Sequence, residues 1–518
     1  MSHREIMRAL SGLLLGLFVA MLSSTIVTNA LPRILADLHG GESAYTWIIA
    51  STLLAVTAST PLWGKLADLF SKKLLVQISL LSYVAGSMLA GLARNPAQLI
   101  ACRVLQGLAV GGISALAQVC MAAMISPRER GRYSGYFGMA FALATVGGPL
   151  IGGVIVDTSW LGWRWCFYVC VPLAVIAVVL LQRTLHLPTE RREDVRIDYL
   201  GATLIAASVT LLLVWVTLAG TDYAWLSWPT AAMIGGSLAL GAAAIRTEAR
   251  AAEPIVPLRM FRHRTVALAT VASVMVGVGM YGATMFLSQY FQLVRDRSPI
   301  ASGFATTPLV LGLAVASYGG GKLITRTGRW KVVLLAGAAS LAAGFALLGV
   351  LRADTPYWIA AVAMAVAGVG VGTVMQNLVL AVQNTVPAGE LGIASSMATF
   401  FRTLGGAVGV SALGAVLAAR VSQSLGGHGG LPGGAIPDLS RVPAAARPLI
   451  EAAFGRGIGT VFLWCVPFAL AALISIALIR EAPLKTESGL QRLSAEHSRG
   501  AGLRRYAAPP REREQPPA

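Results

Sequence analysis

The sequence predicts an all-α polytopic membrane protein of fourteen spanning helices, built as two repeated six-helix units with two further helices inserted between them. Three observations predict it. Fourteen apolar stretches of membrane-spanning length fill the chain. Short motifs of the first half return in the second, in the same order and at a nearly constant offset of about 258 residues. Gly64-Lys65-Leu66 returns as Gly321-Lys322-Leu323, Thr145-Val146-Gly147-Gly148 as Thr403-Leu404-Gly405-Gly406, and Pro127 and Gly131 as Pro387 and Gly392. Finally, 56% of the 518 residues are hydrophobic and 12% charged, with a mean hydropathy of +0.69, which leaves too little polar surface for a soluble chain.

In hydrocarbon only a helix or a closed barrel satisfies its own backbone, and a helix needs about 20 apolar residues to cross. On that rule the spans fall at 10–31, 46–67, 74–93, 98–121, 133–156, 165–186, 197–219, 228–246, 265–290, 302–324, 331–351, 357–381, 393–419 and 457–480. A short tail, 1–9, precedes the N-terminal six-helix bundle, 10–190; the C-terminal bundle occupies 265–480. The repeat offset is longer than six helices require, and 197–246 supplies the two inserted helices. Residues 421–456, rich in Gly and Pro, read as a long outer loop before the last span. Residues 481–518 are charged and too poor in apolar side chains to pack, so they are expected to be disordered.

Most of the 41 lysines and arginines fall in the N-terminal tail, in alternate loops and after Arg480. This asymmetry places both termini in the cytoplasm. It also accounts for the net charge of +18 through membrane orientation and attraction to anionic lipid, with no call for nucleic acid. The N-terminal segment has no small-residue cleavage site and reads as retained. Few lysines against many arginines, with abundant Ala and Gly, point to a GC-rich bacterial gene and hence to the inner membrane.

The five cysteines match no metal-binding spacing and read as packed thiols. None of the six histidines lies in the interior of a predicted span, so a histidine proton relay or intramembrane metal centre has nothing to build on. Most membrane-enzyme chemistry is thereby removed. No Gly-x-x-x-x-Gly-Lys-Ser/Thr sequence is present, which leaves an ion gradient, with no cofactor, as the energy source.

Motifs sharpen the reading. Between the second and third spans runs Gly64-Lys-Leu-Ala-Asp68-Leu-Phe-Ser-Lys72-Lys73, a carboxylate at a helix end facing a basic turn. Asp68 is placed to pair with a neighbouring helix N-terminus or an arginine in one conformation and to release it in another. Here the sequence resembles the major facilitator superfamily, whose signature in this loop is Gly-x-Leu-Ala-Asp followed by basic residues. Arg103-Val-Leu-Gln106-Gly107 is similar to the family's Arg-x-x-Gln-Gly pattern, and Gly147-Gly148-Pro149-Leu-Ile-Gly152-Gly153 to its antiporter signature. Thr25-Ile-Val-Thr-Asn29-Ala-Leu-Pro32 is similar to the fourteen-helix drug/proton antiporters. The resemblance covers residues 10 to about 480 and implies the major facilitator fold: two six-helix halves rocking about a central site.

Gly147, Gly148, Gly152 and Gly153 permit close helix approach, while Pro149 frees a carbonyl and bends its helix; tight packing and a pivot both fit. Arg103 and Arg402 lie mid-span, where a charge costs about 2.5–3.5 kcal/mol on insertion scales. They either bind carbonyls and glutamines or contact a coupling ion or anionic substrate group. In the fourteen-helix antiporters an Asp commonly stands two residues before Thr-Ile-Val, linked to proton coupling and cationic drugs; this chain has Ser23 there. Asp157 is then the leading acid for coupling, and Asp68 suits gating better. Asn29, Gln106, Tyr281, Gln289 and Tyr290 are the candidate cavity contacts, a set suited to amphipathic aromatic molecules. The function these readings imply is proton-coupled efflux of drugs or other amphipathic compounds by a monomer. Export of an endogenous metabolite or lipid is the alternative, and a non-transporting sensor or scaffold a third.

Overall fold

The computed structural model describes residues 3–39, 42–158, 160–187, 198–219, 223–251, 253–424 and 447–495. Within them the chain is almost wholly helical, because long apolar runs of Ala, Leu, Val and Gly satisfy their backbones internally. The first bundle comprises α1 (His3–Asp37), α2 (Glu42–Leu69), α3 (Lys72–Gly91), α4 (Pro96–Met124), α5 (Pro127–Asp157), and a sixth span broken into α6 (Trp165–Tyr168) and α7 (Cys170–Thr184). Two helices, α8 (Tyr199–Leu218) and α9 (Trp228–Glu248), follow. The second bundle comprises α10 (Arg264–Gln289), extended by a π turn Tyr290–Val294, then α11 (Pro299–Ala305), α12 (Thr307–Thr327), α13 (Trp330–Leu348), α14 (Tyr357–Thr385), α15 (Leu391–Ser424) and α16 (Arg447–Leu478).

Among the described residues fourteen helices are long and apolar enough to cross a membrane, the number expected from hydropathy. Each half has its own apolar cluster, one drawn from Ile6 to Leu185, the other mainly from Met260 to Leu484. The halves meet where α5 packs on α12 and α14, and where α15 packs on α2 and α4. The inserted pair α8 and α9 pack on each other, tied by reciprocal Ser208–Ser237 hydrogen bonds of 2.9 Å, and α8 leans on both α2 and α15. They sit at the seam, outside either bundle.

Two expectations need correction. Residues 447–456, read as loop, form the first turns of α16, because Ile450, Ala453 and Phe454 bury into the second cluster. The remainder of that segment, 425–446, lies outside the described residues. The stretch after Arg480 is not free chain as far as Ala495: Leu484 enters the second cluster, and Asn384 grips the backbone on either side of it. A few backbone bonds and one leucine suffice where average composition argued against packing; 496–518 lie outside the described residues.

Candidate functional site

The halves close against each other at the basic end, the end carrying the α2–α3 turn, and they do so at two glycine crossings. In the first, Asp68 in the last turn of α2 reaches the N-terminus of α15. The first N–H groups of a helix have no partner within it and carry the positive end of its dipole. One carboxylate oxygen of Asp68 accepts from Gly392 N at 2.7 Å and the other from Ile393 N at 2.9 Å. Gly64, one turn earlier, permits the approach: a Cβ there would lie 2.8 Å from Gly392 O and collide with Ser396. Lys65 pairs with Glu253 at 2.6 Å, and Arg259 with Glu390 at 2.5 Å. The α9–α10 linker thus straps the crossing from outside, one ion pair to each half. Lys72 contributes charge at Asp68, whereas Lys73 donates to Gln182 O at 2.8 Å and ties α3 to α7 within its own half.

In the second crossing Gly131 of α5 lies on Gly321 of α12, so close that neither could carry a Cβ without moving backbone. Beside it Arg130, 1% exposed, donates to Ala122 O at 3.0 Å, to Ile125 O at 2.9 Å and to Gln383 of the other half. Gln383 in turn donates to Ser395 Oγ at 2.5 Å. Between the crossings Gln118 Nε2 donates to Gln376 Oε1 at 2.7 Å. These glutamines are 258 residues apart, the repeat offset, so the two copies of one position meet on the axis relating the halves. Gly64 on Gly392 and Gly131 on Gly321 exchange under the same relation. The repeat noticed in the sequence is therefore the geometry of the seal.

Deeper in the first half, Arg103, 4% exposed, donates to Gln106 Oε1 at 3.0 Å, and Gln106 Nε2 donates to Ser87 Oγ at 2.8 Å. The Tyr83 hydroxyl lies beside Ser23, Ser87 and Cys170, with Arg103 near. Ser23, 2% exposed, therefore points the position of the missing acid at this buried polar cluster. Gln106 belongs to the cluster rather than to a cavity wall, since both ends of its amide are engaged inside one bundle. Arg402, 9% exposed, is different. It lies on α15 where Gly277 of α10 touches its backbone, with Tyr281 nearby, and among the described residues it makes no ion pair and its Nε has no acceptor.

The Gly-Pro segment of α5 faces two ways. Gly148 and Gly152 admit α1, where a Cβ on Gly152 would stand 3.2 Å from Ile26 O, and Thr25 Oγ1 donates to Ala144 O at 3.1 Å. Gly147 sits more loosely: a Cβ there would stand 3.7 Å from Leu22. Pro149 and Gly153 instead meet Gly303 and Ile300 of α11 in the other half. One stretch of helix thus touches its own bundle and the opposing one, as a pivot requires.

Of the expected cavity contacts, Tyr281 is half-buried with its ring over Gly406, and Gln289 is half-buried with Oε1 lacking a donor among the described residues. Tyr290 is a correction: it is fully buried, donates to Arg352 O at 2.8 Å and accepts from Arg295 Nε at 3.1 Å, so it builds the second bundle's end. A helix continuing by one residue past Gln289 turns the side chain from seam to core, and hydropathy does not record phase. The side chains of Asn29 and Asp157 lie outside the described residues. Sequence reasoning missed Lys65, Glu253, Arg259, Arg130 and Gln383; their charged or polar side chains were visible, their partners were not.

Two helical bundles of one repeated design, meeting at paired glycine crossings around a common axis, define a membrane transporter of the secondary, alternating-access class. Residues 13–410 match the Major Facilitator Superfamily, and the chain belongs to that family. It is similar to an uncharacterized MFS-type transporter of Mycobacterium tuberculosis, 37% identical over 481 residues, covering 92% of this chain and 69% of that one. It is also similar to the multidrug transporter protein MdtP of Bacillus subtilis, 35% identical over 437 residues, covering 84% and 79%. Among solved structures the fold is shared with the human organic anion transporter MFSD10 (TM-score 0.60, 15% identity, 90% of this chain and 99% of that one). It is shared as well with the proton:xylose symporter XylE (TM-score 0.61, 13% identity, 96% and 100%).

Proposed function

We propose that this transporter exports amphipathic, aromatic small molecules, drugs among them, in exchange for protons, from a bacterial inner membrane with its basic face cytoplasmic. The observation that carries the export reading is the Asp68 carboxylate capping α15 across the two halves: a charge-dependent lock on one face is what an alternating-access cycle must break on every turnover. The relative named for multidrug transport supports the substrate class, and the basic composition of the closed face supports its orientation. A proton entering down 100 mV supplies about 2.3 kcal/mol, enough to drive uphill export without a cofactor. Asp157 is the acid assigned to coupling, and the transporter acts as a monomer.

A second reading, export of an endogenous metabolite bearing an acid group, is favoured by Arg402. A guanidinium that lacks an ion-pair partner at mid-membrane depth is satisfied by a carboxylate or phosphate brought in by substrate. One experiment separates the readings: purified protein in vesicles under an imposed pH gradient, offered cationic, neutral and anionic aromatic compounds. Accumulation of the cationic and neutral compounds supports drug export, accumulation confined to anions supports the second reading, and no accumulation of any compound overturns both.

A further inference from the structure

The segment that follows α16 lies across the closed face and touches both halves. On the second half its anchors are many. Lys331 N donates to Glu481 Oε1 at 3.2 Å and Trp330 Nε1 to Ala482 O at 2.9 Å. Asn384 at the end of α14 clasps the backbone twice, donating to Pro483 O at 3.1 Å and accepting from Lys485 N at 3.0 Å. Arg492, 7% exposed, donates to Val386 O at 2.5 Å. Among the described residues, the contacts on the first half are fewer and of another kind. Arg128 N, in the first turn of α5, donates to Lys485 O at 3.2 Å. Gly489 lies against the end of α4, where a Cβ would stand 2.8 Å from Ala122 O and 3.0 Å from Ala123 Cα, and 2.9 Å from Leu391 of the other half.

From this asymmetry we infer that residues 481–495 are a clasp: fixed to the second half, docked reversibly on the ends of α4 and α5, and released each time the basic face opens. The anchors on the second half include a bidentate amide grip and a buried leucine, which persist through rigid-body rocking. Docking on the first half shows, among the described residues, the backbone hydrogen bond from Arg128 N and glycine-permitted packing. A contact of this kind biases the equilibrium towards closure without freezing it. Gly489 lies against Ala122, whose carbonyl accepts from Arg130, so the segment sits beside the second crossing.

The test uses the full chain in vesicles. Arg128 and Lys485 are exposed neighbours joined through their backbones, so the pair Arg128→Cys/Lys485→Cys is expected to form a disulfide on oxidation without disturbing the fold. The closed pair should stop substrate exchange, with activity returning on reduction. Conversely Gly489→Leu should undock the segment and raise the population open at the basic face several-fold, read as the distance between spin labels at Glu129 and Arg329, while Gly489→Ala shifts it less. Exchange at the uncrosslinked rate in a fully crosslinked sample would overturn the clasp, whatever the substrate proves to be. So would an unchanged distance distribution in a monodisperse Gly489→Leu protein.

Discussion

The two crossings that close the basic face are copies of one another in sequence, yet different chemistry holds them. At the first, Asp68 caps α15; at the second, the position corresponding to Asp68 is Thr325, whose hydroxyl turns back to Gly321 O of its own helix at 3.0 Å. Helix starts explain the difference. Gly392 and Ile393 lie in the opening turn of α15, which begins at Leu391, so their N–H groups are free to be capped. Gly131 is already a turn inside α5, which begins at Pro127, and there the N–H groups are spent on the helix. With no donors to cap, an acid would gain nothing, and the bridge is made instead by a cation, Arg130, reaching carbonyls and Gln383. A duplicated scaffold thus supplies the same close approach twice, and the local helix boundary decides which charge can exploit it.

The largest expected effect comes from removing the acid. Asp68→Asn retains the shape but weakens two hydrogen bonds to a charged group, each worth about 1.5–3 kcal/mol, so transport in vesicles should fall by roughly tenfold or more with insertion into the membrane unchanged. Unaltered rates would mean that the glycine contact alone carries closure. Next comes the second crossing's backbone approach. Gly321→Leu should force α5 from α12 at an overpacking cost of about 1–3 kcal/mol, seen as a lowered thermal midpoint together with slower exchange. If only the midpoint moved, this contact would be structural packing and not part of the gate.

Arg130→Met should strand the Ala122 and Ile125 carbonyls and Gln383, a penalty of about 1–3 kcal/mol per unsatisfied buried group. Combined with Gln383→Leu its cost should be less than the sum of the two single costs, because both act through one bridge; simple additivity in the thermal midpoints would show that the bridge is not a unit. The smallest effect is expected from Thr325→Asp placed in the Asp68→Asn background. An acid there finds no free N–H and should restore transport less than about twofold. Recovery towards the parent rate would refute the helix-start explanation of the asymmetry.

Much of this was legible in the linear chain. Hydropathy located fourteen spans because crossing a bilayer is a demand on each segment separately. The motif offset announced two related halves, and the Gly64–Asp68 motif suggested a carboxylate meeting a helix N-terminus, as Asp68 does with α15. Tyr290 shows the limit: its type suited a cavity wall, and one residue of helical phase put it in the core. The stretch after Arg480 shows another, since its composition forecast disorder while two bonds to Asn384 and the burial of Leu484 order it as far as Ala495.

By itself, then, the sequence determined what each segment must do with its own backbone and side chains: span, turn, present a charge at a helix end, approach closely through glycine. Which charge meets which was decided only when the halves came together. Arg259 with Glu390, Lys65 with Glu253 and Arg130 with Gln383 join residues more than a hundred positions apart. A charge can be read from one position, but its partner is a property of the packing, because Coulomb and hydrogen-bond energies depend on separation in space and not along the chain.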